Sequence, residues 1–228
     1  MMKIKFLKAN MPYSLEEAYS VILHNPYERD AIDGFEVLKF SPTAFRARFI
    51  EKVVNVEIIS NPFGESQEVV STRYVINKFL IEKRSGFFLV ALENPTRSVR
   101  NLIRKFSSIF GVTKFSVASV SIDIPRLESF ISQATDVRFH VNKAHISNIV
   151  LSNSCSASVE ITSVDNALDD VRRSFPGKAF DVDKARFTVQ GTADKTFFEA
   201  KSSGQISISG PKEEVVYAII KEFVGNGG

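Results

Sequence analysis

The chain has 228 residues, 44% of them hydrophobic and 24% charged, with a formal net charge of +3. That is enough chain for one large domain or two small ones, each able to bury a core. No apolar run approaches the roughly 20 residues of a membrane span, and a single cysteine, Cys155, excludes an internal disulfide and a cysteine-rich metal site.

The N-terminal stretch has lysines but no continuous apolar core before Asn10 and no small-residue cleavage site. It is not read as a signal peptide, and a cytoplasmic location is the expectation. KIKFLKA predicts a first strand, and SLEEAYSVILHN a helix with Ser14 as N-cap and Glu17 three residues later. In RARFIEK, period-two alternation puts Arg46, Arg48 and Lys52 on one side of a strand and Phe45, Ala47 and Phe49 on the other. If Arg73, Asn77 and Lys83 join the first set, this half presents a basic sheet surface. After the strand FFLVAL, TRSVRNLIRKFSSIF predicts an amphipathic helix with Val99, Leu102, Ile103, Phe106 and Phe110 as its buried stripe.

The second half begins with the strand FSVASVSID and a helix at IPRLESFISQA. His140 and His145 in HVNKAH fall on opposite faces if that segment is a strand, so a shared metal is not expected. SNSCSASVEIT alternates, with Cys155, Ala157, Val159 and Ile161 on one face, and Cys155 is expected to point inward. ARFTVQG sets Phe187 and Val189 inward and Arg186, Thr188 and Gln190 outward; QISISG sets Ile206 and Ile208 inward and Gln205, Ser207 and Ser209 outward. An antiparallel sheet that is greasy on one face and polar on the other follows. KEEVVYAIIKEF closes the chain as a helix. Of the twenty phenylalanines, Phe79, Phe88, Phe187 and Phe198 fit alternating strand positions and are expected beneath the helices as core.

The two halves echo one another. KRSGFFLVALENP at Lys83 and KSSGQISISGPK at Lys201 both carry Lys-x-Ser-Gly, a short apolar strand, and a proline that opens a helical pattern. VEIIS at Val56 matches VEITS at Val159, and MPYSLEEAYSVI at Met11 resembles IPRLESFISQA at Ile124, in the same order. The longer spacing in the second half is assigned to the excursion DNALDDVRRSFPGKAF. A duplicated strand-helix-strands-helix unit is therefore expected, with residues 1–112 as first repeat and 113–228 as second, together one pseudo-symmetric α+β domain.

The segment SGQISISGPK, followed by a helix, resembles the strand-turn-strand-helix signature of the TATA-box-binding-protein fold; a related element occurs in the N-terminal domain of type III bacterial ribonuclease H. The resemblance implies a saddle, a curved antiparallel sheet with helices on one face and the other face open to nucleic acid. Where that family places an intercalating phenylalanine, three residues before the glycine, this chain has Lys83 and Lys201. Lysine cannot unstack bases, but it can contact phosphates. The expectation is a non-catalytic nucleic-acid-binding protein gripping the backbone through Arg46, Arg48, Lys52, Arg73, Lys78, Lys83, Arg186 and Lys201. The alternative is a protein-interaction or regulatory subunit docking a partner or a second copy of itself through the sheet or helices. A helix-grip cup is the alternative fold. No catalytic constellation, metal site or cofactor loop is read from the sequence.

Overall fold

The structure, a computed structural model, describes residues 1–134, 138–189 and 196–227. Gln190, expected to point outward, lies outside them. Eleven strands and five helices run through the described residues. The chain divides into a central unit, Ala9–Val117, and a terminal unit made of Met1–Lys8 with Ala118–Gly228.

The central unit contains α1 (Leu15–Leu23), β2 (Asp33–Phe40), β3 (Ala44–Ser60), β4 (Ser66–Arg84), β5 (Phe87–Glu93) and α2 (Arg100–Phe110). Its strands form an antiparallel meander in the order β2-β3-β4-β5. Helix α1 starts where the sequence places it, because Ser14 and Glu17 close a reciprocal capping box. Pairing of Ala47 with Phe79 and of Phe45 with Ile81 aligns the apolar alternation of β3 and β4. Helices α1 and α2 cover that face: Tyr19 meets Phe45 at 5.8 Å between ring centroids, and Phe106 meets Phe79 edge-on at 5.2 Å and Phe35 in a stack at 5.7 Å. Helix α2 begins four residues later than TRSVRNLIRKFSSIF suggests, since Val99 is its N-cap; Leu102, Phe106 and Phe110 are buried and Ile103 is half-buried.

The terminal unit holds β1 (Met2–Asn10, whose end crosses into the central unit), β6 (Ser116–Ser119), α3 (Ile124–Ala134), β7 (Phe139–Ser152), β8 (Cys155–Thr162), α4 (Ala167–Ser174), β9 (Asp181–Val189), β10 (Phe197–Lys201), β11 (Gln205–Ser209) and α5 (Glu213–Gly225). Its strand order is β1-β11-β10-β9-β7-β8, with β6 on β1. The chain's first strand thus pairs with β11, close to the other end of the sequence, with Met2 opposite Ile208. Phe187 and Phe198 stack at 4.5 Å under the helices, and Tyr217 of α5 stacks on Phe6 of β1 at 6.5 Å. All four phenylalanines assigned to the core are buried. The excursion between β8 and β9 contains α4, capped by the Asn166 side chain, which accepts from the Leu168 amide at 2.9 Å.

Two expectations change. Cys155 is exposed, because it opens β8 at the hairpin tip beyond the apolar rungs. In β7 the pairing with β9 slips between Val141 and Lys143, so an extra residue, Asn142, reverses the alternation. Val141, Ala144 and Ile146 are all buried, and His140 and His145 consequently share the outer face rather than opposing one another.

Candidate interaction surfaces

Each sheet has a face turned away from its helices. On the terminal unit the register lays out one row as Lys3, Ser207, Glu199, Arg186 and Lys143, and a second with Lys201, Lys184, His145 and Glu160. Charges of both signs interleave. Lys143 bonds Glu160 at 2.7 Å, Lys184 lies 3.7 Å from Glu199, and His145 lies 3.1 Å from Asp183. The Lys143 ammonium, as the first cause, holds the Glu160 carboxyl below the ordinary glutamate range. The Arg186 guanidinium stacks over the Phe197 ring at 4.0 Å. Arg186 and Lys201 therefore occupy one surface, on which acids separate the cations.

The expected basic surface on the central unit divides between two faces. The unbroken register of β3 with β4 places Arg46, Arg48, Lys52 and Lys78 on the outer face and Arg73, Asn77 and Lys83 on the other. Arg46 is paired with Glu93 at 3.6 Å and Arg48 with Glu36 at 2.6 Å. Lys83 lies on the helix side, 4.1 Å over the Phe88 ring, and donates to the Tyr13 carbonyl at 3.5 Å. Asn77 is buried; its side-chain oxygen accepts from the Thr96 hydroxyl at 3.0 Å. The outer face is also greasier than a polar-out pattern allows, since Ile50, Leu80, Leu89 and Ala91 are buried on it.

An exposed apolar surface lies where charge patterning did not reveal one. Pairing of β2 with β3 stops at Glu51, and pairing of β5 with β4 begins only at Lys78. Between these limits, residues 53–60 and 66–73 continue alone as a two-stranded ribbon whose tip is a turn held by Asn61: its side-chain oxygen accepts from the amides of Phe63 and Glu65, each at 3.0 Å. One face of the ribbon carries Val54, Val56, Ile58 and Val70, continued at its base by Tyr74 and Ile76, all exposed, between 41% and 73%. The other face carries Asn55, Glu57, Gln67, Ser71 and Arg73 among its rungs, alongside Val53, Ile59 and Val69. The signal was present in the sequence as VVNVEIIS and QEVVSTRYVI, two long β-branched runs flanking NPFGE.

Among the described residues no group of three His, Cys, Asp or Glu side chains is placed to hold a metal ion, and no helix is long and apolar enough to cross a membrane. In the terminal unit a cavity of about 370 Å³ is lined by Glu128, Ser129, His140, Val141, Asn166 and Phe187, among others.

No protein-family model matches the chain, and no curated protein matches it. Among solved structures, a crystal structure of DynU16, a protein in the dynemicin biosynthetic locus, is similar at 9% identity and a TM-score of 0.19, covering 97% of this chain and 94% of that one. A TM-score that low carries no argument about fold or function.

Proposed function

We propose that this chain is a non-catalytic protein-interaction subunit that docks a partner through the β3–β4 ribbon. The observation that carries this is the run of six exposed apolar side chains along one ribbon face and its base. A lone two-stranded ribbon is marginally stable in water, and burying one Val or Ile side chain stabilises by about 1.5–3 kcal/mol. Open apolar strands are also an aggregation hazard that stable monomers blunt with charge or proline. Covering by a partner satisfies both demands. In native extract the chain should then migrate in an assembly heavier than its own 25.5 kDa, and Val56→Lys combined with Ile58→Lys should return it to the bare mass. A wild-type chain already at the bare mass, or a variant still in the assembly, overturns the reading.

A second reading, nucleic-acid backbone binding through the terminal unit's open face, is favoured by Lys3, Lys5, Lys184, Arg186 and Lys201, which outnumber the interleaved acids there. It requires filter binding that falls steeply with salt and that Lys184→Glu with Lys201→Glu reduces further. Absence of binding at low salt removes it.

The duplicated saddle belongs to the same proposal. Its support is that Gly86 and Gly204 each turn a hairpin with positive φ, +83° and +80°, ahead of a helix; α4 lies in the excursion that lengthens the second copy.

A further inference from the structure

Resting on the ribbon reading, we infer that the partner is a second copy of this chain, with two ribbons packed face to face and antiparallel about a two-fold axis. The apolar face has four successive rungs between the sheet and the tip: Lys52–Tyr74, Val54–Thr72, Val56–Val70 and Ile58–Glu68. Its charges sit at opposite ends, Lys52 at the base and Glu68 near the tip. At about 3.3 Å per residue the outer rungs lie about 20 Å apart.

A two-fold axis has two ways to stack this face on itself. If it runs along the strands, each rung lies over its own copy with β3 and β4 exchanged, so the two Lys52 side chains lie diagonally at one end and the two Glu68 side chains at the other, like charges together at both ends. If it crosses them between the second and third rungs, base lies over tip. Lys52 and Tyr74 of one copy then cover Ile58 and Glu68 of the other, while Val54 and Thr72 cover Val56 and Val70. Val54 then lies on Val56, the Lys52 stem on Ile58 and Thr72 on Val70, and two diagonal Lys52–Glu68 pairs form by symmetry, one at each end. Such self-complementarity is what an isologous interface demands. Sheets packed face to face lie about 10 Å apart, a gap that the lysine stem spans by lying along apolar surface. Acidic and basic residues on the reverse face, Glu57 and Arg73, stay in solvent.

The test is sedimentation equilibrium of the purified full chain across a hundredfold range of concentration. The wild type should be a dimer. Lys52→Glu alone and Glu68→Lys alone should each weaken dimerisation at least tenfold, and the two together should restore it, because the exchanged charges again face one another. Both sites are on exposed or half-exposed strand positions, and far-UV circular dichroism of each variant checks that the fold persists. A wild-type monomer at every concentration overturns the inference, as does a dimer that the single reversals leave unchanged or that the double reversal does not rescue. If the purified chain is a monomer while Val56→Lys with Ile58→Lys still dissolves the assembly in extract, self-pairing fails and the ribbon reading stands. If neither assembly nor dimer exists, both fail.

Discussion

Gly86 and Gly204 offer a matched pair of substitutions, because they share a backbone conformation and differ in what surrounds them. Both have φ near +80° at a hairpin turn, Gly86 between β4 and β5 and Gly204 between β10 and β11. Placing an alanine there forces a Cβ into the left-handed region, at about 1–2 kcal/mol. About 0.4–1 kcal/mol is recovered because the unfolded chain loses freedom. At Gly86 nothing lies within 4 Å of the new Cβ, so a net loss of about 1 kcal/mol is expected. At Gly204 the Cβ would lie 2.4 Å from the Val120 carbonyl oxygen and 3.3 Å from that of Phe6. Those are backbone atoms, and the amides of Phe6 and Val120 are already committed, Phe6 to the Gly204 carbonyl at 2.9 Å and Val120 to the Phe6 carbonyl at 3.3 Å. Neither oxygen can rotate away. Overpacking adds about 1–3 kcal/mol, for an expected loss of about 2–4 kcal/mol. Urea denaturation followed by far-UV circular dichroism, on Gly86→Ala and Gly204→Ala in parallel, reads the difference. Equal losses would show that β1, β6 and the β10–β11 turn do not approach as closely as described.

Phe106→Ala should cost about 3–5 kcal/mol in urea denaturation, since its ring is buried against Phe35, Phe79, Phe110 and Phe115; a loss under 1 kcal/mol would place the central core elsewhere. The Glu17 carboxyl is held below its ordinary value first by the Ser14 amide and then by the Ser14 hydroxyl, so its contribution to helix α1 is fully present above pH of about 4.5 and lost as pH falls through the lowered value. Ser14→Ala removes only the hydroxyl bond, and an NMR titration should show Glu17 moving part of the way back; no movement would contradict the capping box. Cys155 is exposed and should react with a thiol reagent in the native protein at nearly the rate seen in denaturant, whereas strong protection would restore the inward orientation that alternation alone suggested.

Local physics was legible in the sequence wherever one rule governed a segment. The capping box at Ser14 announced α1, and strict alternation assigned Phe45, Phe79, Phe187 and Phe198 to the buried faces. Legibility failed where register decides. The alternation of Arg46, Arg48 and Lys52 was correct within β3, but whether Arg73 or Lys78 shares their side depends on which residue of β4 stands opposite, and that is fixed by the turn at Asn61–Glu65. The Asn142 bulge reversed the histidines by the same logic, a single inserted residue that no periodicity announces. The ribbon was hidden for another reason. Its valines and isoleucines read as core, and only the lengths of β2 and β5 reveal that nothing in the central unit reaches far enough to cover them. Charge was the least informative guide, because Arg46, Arg48 and Lys143 find acids across the strands that spacing along one strand cannot foresee.

The most direct test of the ribbon as a docking surface is amide hydrogen exchange on the chain in its native assembly, compared with the Val56→Lys, Ile58→Lys variant. Ribbon amides on residues 53–60 and 66–73 should exchange more slowly in the wild type, with the amides of α1 and α5 unchanged. Identical ribbon exchange in the two proteins would mean that the apolar face stands uncovered, and would contradict the account.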